Sequence, residues 1–127
     1  MKRVTGIGGV FFKARDPKAL GEWYHKHLGM DVENWGGVAF RWADDPSGGR
    51  GTTVWCPFKQ DTKHFEPSTA PFMLNLRVAD LDGLLPLLGA EGCTVLDKVQ
   101  DSEDGKFAHI VDPEGNKLEL WEPPSGK

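Results

Sequence analysis

The residues with the means to do chemistry are few and widely spaced. Glu119 stands in the stretch DPEGNKLELWEP between Leu118 and Leu120, His109 lies upstream in KFAHIVD, and Asn75 and Arg77 alternate with apolar residues in MLNLRVAD. A carboxylate in such a strand can be a metal ligand, a proton-transfer group or a solvated strand residue, and a facing histidine widens the first two roles. Other candidates are weaker. His25 and His27 are two apart on a predicted helix, where their side chains diverge by about 200°. His64 lies in the polar stretch KQDTKHFEPST and reads as a surface-loop residue. No G-x-S-x-G elbow is present, and the glycines of GIGG and PSGGRG match no phosphate-loop spacing, so they read as a permissive strand and a turn.

The bulk composition narrows the classes. A chain of 127 residues fits one compact domain with one core. Its net charge is -4 and its lysines and arginines are scattered, so no basic stripe is available to track phosphates and nucleic acid is not an expected partner. The early apolar run Ile7 to Phe12 is too short and too glycine-broken for a signal peptide or a membrane span. A soluble, cytoplasmic protein is expected. Cys56 and Cys93 form no C-x-x-C pair and fit two free thiols in a reducing compartment.

The chain repeats itself. Val10, Phe12, Ala14, Asp16 and Leu20 align with Leu74, Leu76, Val78, Asp80 and Leu84, and a one-residue deletion then aligns Gly29 with Gly92 and Val32 with Val95. Further on, Phe40 falls over Phe107, Asp45-Pro46 over Asp112-Pro113, and Trp55-Cys56-Pro57 over Trp121-Glu122-Pro123. Each half reads as a strand, a helix and several strands. Asp16 before Pro17 is a helix start, Leu20, Trp23, Tyr24 and Leu28 keep helical spacing, and Gly29 is the stop. Asp80 or Asp82 caps the second helix, whose Pro86 predicts a short or irregular element ending at Gly89. Further strands are predicted near 32–42, 51–58, 93–98, 106–111 and 116–121, with KVQDSEDG, Lys98 to Gly105, as a mobile polar loop.

A strand ending in ARDP, a helix carrying EWYHKHLGM and the late DPEGNKLELWEP together resemble the vicinal oxygen chelate superfamily, which includes glyoxalase I, extradiol dioxygenases, fosfomycin-resistance enzymes and bleomycin-binding proteins. The resemblance covers nearly the whole chain. It implies an α+β fold of two βαβββ modules, about 1–62 and about 68–124, from an internal duplication, forming a half-open curled sheet around a cavity in one glyoxalase-like domain. It also implies a homodimer, as do the sheet edge and aromatic surface that a lone half-open barrel exposes.

Strand parity then assigns the cavity. Val10, Phe12 and Ala14 suit the helix side, as do Leu74, Leu76 and Val78, leaving Phe11, Met73, Asn75 and Arg77 for the cavity. In the last strand Leu118 and Leu120 face the core and Glu119 and Trp121 face the cavity, and by the repeat Thr53 and Trp55 are their counterparts. A turn over Asp112 to Asn116 sets His109 opposite Glu119 and Phe107 opposite Trp121, and a turn one residue shorter sets Ala108 there instead. The His109 register gives a cavity of Phe11, Phe40, Trp42, Trp55, Met73, Asn75, Arg77, Phe107, His109, Glu119 and Trp121. Such an aromatic lining with few polar groups is the composition of a small-molecule site, although aromatics also fill closed cores.

In metal-using branches the resemblance implies ligands on the first and last strands of each module, which here fall on Gly9, Thr53, Met73 and Glu119. Only Glu119 is a suitable donor, so no metal and no other cofactor is expected. A hydrogen bond between His109 and Glu119 is the more economical account of that pair. Three readings follow. The first is a metal-free, bleomycin-resistance-like protein that holds a planar or aromatic molecule between Trp42, Trp55 and Trp121, with Asn75, Arg77 and Glu119 fixing its polar groups. The second is a metal-independent lyase or isomerase in which desolvation raises the pKa of Glu119 as general base, oriented by His109. The third is a metal-dependent glyoxalase or dioxygenase-like enzyme.

Overall fold

The computed structural model describes residues 3–45 and 49–125, so the predicted match of Asp45-Pro46 to Asp112-Pro113 lies partly outside the described residues. The chain opens with strand β1 (Val4–Ala14), helix α1 (Pro17–Leu28), strand β2 (Val38–Arg41), a 3-10 turn (Trp42–Asp44) and strand β3 (Thr52–Lys59). It continues with β4 (Phe72–Val78), α2 (Leu81–Ala90), β5 (Thr94–Val95), β6 (Gln100–Ser102), β7 (Gly105–Val111) and β8 (Lys117–Glu122). One curled sheet runs β2-β3-β1-β4-β8-β7-β5, with β6 pairing β7 beyond the path. The fold is α+β, two helices on a half-open sheet.

Both helices start where side-chain chemistry requires. Asp16 and Asp80 each accept a hydrogen bond from a backbone N–H in the first turn, at Ala19 and Gly83, both at 3.0 Å. Gly29 closes α1 in the left-handed conformation at φ 69°. Pro86 sits inside α2 without breaking it, and the helix runs one residue past Gly89 to Ala90. The element is short, ten residues, but regular, because its apolar face is anchored: Leu81 and Leu84 pack with Val78, Ala108 and Leu120 on the convex side of the sheet. No helix among the described residues is long and apolar enough to cross a membrane. Both cysteines are free thiols.

Other departures from the sequence reading have local causes. The strand expected from residue 32 begins only at Val38, because residues 33–37 close a turn in which the Glu33 N–H donates to the Gly37 carbonyl and the Gly36 N–H donates to the Glu33 carbonyl, both at 2.9 Å. Residues 98–105 are not a featureless loop. Gln100 to Ser102 pair antiparallel with Phe107 to Gly105, and Gly105 takes φ 113° at the tight reversal.

The two halves pair alike at their centres. Parallel β1 and β3 set Val10 beside Trp55 and Phe11 beside Cys56, while parallel β4 and β8 set Leu74 beside Leu118 and Asn75 beside Glu119. Cys56, not Thr53, is therefore the positional counterpart of Glu119, and Trp55 is the counterpart of Leu118. The sequence alignment of Trp55 with Trp121 was three residues out of step, and an odd slip exchanges the two faces of a strand. Cys56, which a cavity-facing Thr53 and Trp55 would turn to the helix side by strand parity, accordingly lies on the concave side with Val54 and Phe58.

Candidate functional site

The concave face carries two layers. The first is apolar: Phe11, Met73 and Phe65 are buried together, backed by Val54, Cys56 and Phe58. Phe65 comes from the connection between β3 and β4, which folds over the sheet and inserts this ring with no exposed surface. Beside it lies a buried polar network that must be satisfied internally, since Asn75, His109 and Glu119 retain only 2%, 5% and 6% exposure.

Glu119 is its centre. Asn75 Nδ2 donates to Glu119 Oε1 at 2.7 Å, and His109 Nε2 lies 2.8 Å from Oε2. On its other side His109 Nδ1 lies 2.6 Å from Asp97 Oδ2, while the His109 backbone N–H donates to Asp97 Oδ1 at 2.7 Å. His64 Nε2 approaches Glu119 Oε2 at 3.6 Å. The β7/β8 register puts His109 opposite Glu119 and Phe107 opposite Trp121, so the alternative with Ala108 facing Glu119 falls away.

The electrostatics follow from these contacts. Burial pushes the His109 pKa down, but its bonds to Glu119 and Asp97 outweigh that and raise it. Burial likewise favours a neutral Glu119, yet donors from His109, His64 and Asn75 overcome it and pull the carboxyl down to about 2. This reverses the expected upward shift: the desolvation is real, but the hydrogen bonds to the ionised form win.

The glycines of GIGG have a specific task here. The β1/β4 register shifts between Ile7 and Gly9, leaving Gly8 in a bulge. A Cβ on Gly8 would stand 1.9 Å from Asn75 Oδ1 and 3.0 Å from Trp121 Cε3. Asn75 Oδ1 is buried without a hydrogen-bond partner among the described residues. Only glycine lets the strand come this close to the amide that orients Glu119.

A cavity of about 610 Å³ opens on the concave side, lined by Phe11, Asn75, Phe107 and Trp121 together with Trp35, Arg41, Glu33 and Asp104 among others. Phe107 and Trp121 stack at 6.1 Å and 6°, and Trp121 Nε1 donates to the Asp104 carbonyl at 2.8 Å. Met73, His109 and Glu119 lie buried in the layers beneath. Arg77 lies between Trp42 and Trp121, at 5.1 Å and 5.4 Å from the two rings, and donates to the Thr52 carbonyl at 3.1 Å. Its guanidinium braces the wall, and burial lowers its pKa.

Three expected lining residues are elsewhere. Trp42 starts the 3-10 turn, where its Nε1–H donates to Thr53 Oγ1 at 2.8 Å and its ring packs on Arg77. Trp55 packs against Phe12 and Tyr24 at 5.5 Å and 4.8 Å, under α1. Phe40 pairs with Thr53 on that same outer parity and is exposed, whereas its neighbours Ala39 and Arg41 line the cavity. The misplacement of Trp55 and Phe40 comes from the slipped alignment. Conversely nothing in the sequence marks Trp35, Asp97 or His64 for the site. Trp35 and Asp97 lie in connections without periodicity, and His64 gains its place only because neighbouring Phe65 is buried.

The metal positions implied by the superfamily do not fit an ion here. Gly9 has no side chain, Met73 is packed against Phe11 and Phe65, and the counterpart of Glu119 is a thiol whose pKa burial raises. A hard divalent ion has no adequate donor set in that place.

Comparison with known proteins agrees with the fold. A family model described as a glyoxalase-like domain matches residues 9–121. Methylmalonyl-CoA epimerase from Mycobacterium tuberculosis superposes with a TM-score of 0.63 at 22% identity, over 98% of this chain and 91% of that one. A variant of methylmalonyl-CoA epimerase from Streptomyces coelicolor, in complex with 2-nitronate-propionyl-CoA, gives 0.63 at 18% identity over 96% and 99%. A structure described as an NAD-dependent benzaldehyde dehydrogenase from Legionella pneumophila gives 0.59 at 16% over 91% and 98%. No curated protein sequence matches. At these identities the superpositions establish a shared fold and no more, while the family match spans most of the chain. With the curled sheet and its order of elements, it shows that this protein belongs to the glyoxalase-like domain family of the vicinal oxygen chelate superfamily.

Proposed function

We propose that this protein binds a small planar or aromatic molecule in the concave cavity, without the metal arrangement of the metal-using branches of its superfamily. The observation that carries the reading is the stacked pair of Phe107 and Trp121 on the cavity wall, with Trp35 and Phe11 completing an apolar lining. Aromatic walls of this kind hold a flat ligand by offset stacking and area burial. Arg41, Glu33 and Asp104 supply polar groups for orientation. The reading with Glu119 as general base has less support. A carboxylate with both oxygens engaged and a pKa pulled down to about 2 is a weak base.

The test uses a planar aromatic probe, 8-anilinonaphthalene-1-sulfonate, followed by its own emission and by tryptophan quenching. One probe per chain is expected, weakened at least tenfold by Trp121→Ala and by Phe107→Ala. Binding indifferent to both substitutions would overturn the reading.

We further infer a homodimer that pairs through one face of the sheet. Ile7, Val10 and Phe72 are exposed on the convex face of β1 and β4, between the two helices, where a partner would cover them. Sedimentation of the intact chain tests this, a strict monomer at micromolar concentration being the contrary result.

A further inference from the structure

His64, His109 and Glu119 converge to a degree that the apolar binding reading does not require. Their nearest ligand-type atoms all lie within 4.8 Å of one another, and they come from three separate elements: the β3–β4 connection, β7 and β8. We propose that these three side chains form a transition-metal site of the two-histidine, one-carboxylate type, with a zinc-class ion as its occupant.

The spacing suits an ion. Two donors at the usual zinc radii of about 2.0–2.2 Å stand roughly 3.4 Å apart on a tetrahedron. The distances from Glu119 Oε2 to His109 Nε2 and His64 Nε2, 2.8 Å and 3.6 Å, bracket that value. The adjustment falls to His64, whose side chain is 40% exposed while the other two are nearly buried. Three protein ligands leave a position open on the solvent side, beside His64.

The supporting contacts are those a metal site needs. Asp97 holds His109 Nδ1, which fixes the ring and leaves Nε2 aimed at Oε2, and Asn75 occupies Glu119 Oε1, leaving Oε2 for the ion. Carboxylate-held histidines and amide-held carboxylates are the usual outer shell of bound metals. His64 is held from several sides. Its ring lies parallel to Phe58 at 5.5 Å and edge-on to His109 at 5.6 Å. Its carbonyl accepts from Lys117 Nζ, and the neighbouring Phe65 is locked in the core.

The donor class, two imidazoles and one carboxylate, suits zinc, iron(II), cobalt(II) or nickel(II) rather than magnesium or calcium. Only Glu119 is shared with the positions that the superfamily resemblance implies.

The test loads chelator-treated protein with Co²⁺ and with Zn²⁺, read by calorimetry and by cobalt d–d absorption. One ion per chain is expected. His64→Ala, which alters a half-exposed side chain, should weaken binding at least tenfold, and Asp97→Asn should weaken it about 10–100-fold. No stoichiometric binding by the intact chain, or binding unchanged in His64→Ala, overturns the proposal. The anilinonaphthalene titration of His64→Ala separates this from the cavity reading, since that variant leaves Phe107 and Trp121 in place.

Discussion

Gly8→Ala tests the site's architecture most directly. The added methyl would stand 1.9 Å from Asn75 Oδ1, far inside contact distance, with Asn75 Cγ and Trp121 Cε3 each at 3.0 Å. Either β1 moves or Asn75 rotates away. Overpacking of this kind costs about 1–3 kcal/mol. If Asn75 rotates, the 2.7 Å bond to the Glu119 carboxylate is lost, and a charge-assisted bond is worth about 1.5–3 kcal/mol. The expected destabilisation is therefore about 3–5 kcal/mol. At this chain length it corresponds to a fall in Tm on the order of 10–20 °C. Urea unfolding followed by circular dichroism measures it. The decisive arm is a double-mutant cycle. In an Asn75→Ala background the carboxamide is gone, so Gly8→Ala should cost only about 1 kcal/mol, the remainder being the contact with Trp121. An equal cost in both backgrounds, or a cost below about 0.5 kcal/mol in the parent protein, would refute the close-approach explanation of this glycine.

Four further outcomes follow from named contacts. Trp55→Ala should destabilise the protein by about 3 kcal/mol through lost packing with Phe12 and Tyr24, yet leave anilinonaphthalene binding unchanged, unlike Trp121→Ala. Chelator-treated protein should lose stability in acid through Glu119. Its folded pKa, about 2, lies below the ordinary 4.5, so this contribution of about 3 kcal/mol is present above pH 4.5 and disappears as pH falls toward 2; Glu119→Gln should flatten that limb of the stability profile. Phe65→Ala should cost about 3–5 kcal/mol, because the ring has no exposed surface. Gly89→Ala, whose Cβ meets nothing within 4 Å in α2, should instead stabilise by about 0.5–1 kcal/mol in thermal unfolding.

What the sequence by itself determined is whatever depends on near neighbours. Asp16 and Asp80 announce helix starts because a capping carboxylate needs only the next three residues. The alternation of MLNLRV and KLELWE identifies the buried faces of β4 and β8. The turn at Asp112 to Asn116 sets His109 against Glu119, since a hairpin register is decided by its own loop. The face of β3 was harder to read. Its neighbour β1 is parallel and joined through a helix and a long connection, so no local turn sets its register. The similarity of two tryptophan-proline endings therefore misassigned Trp55 and, through the same half of the repeat, Phe40.

The tertiary structure alone decided the rest. Asp97 reaches His109, and His64 reaches Glu119, through contacts separated by 12 and by more than 50 residues, and both contributors lie in segments with no periodic signal. The direction of the Glu119 pKa shift was equally out of reach of composition. Burial among aromatics argued for a raised value, and only the positions of three donors around the carboxylate reversed it. Glu119 was visible in the sequence as a polar anchor in an apolar strand, but its partners, which fix its charge and its chemistry, exist only once the sheet has curled.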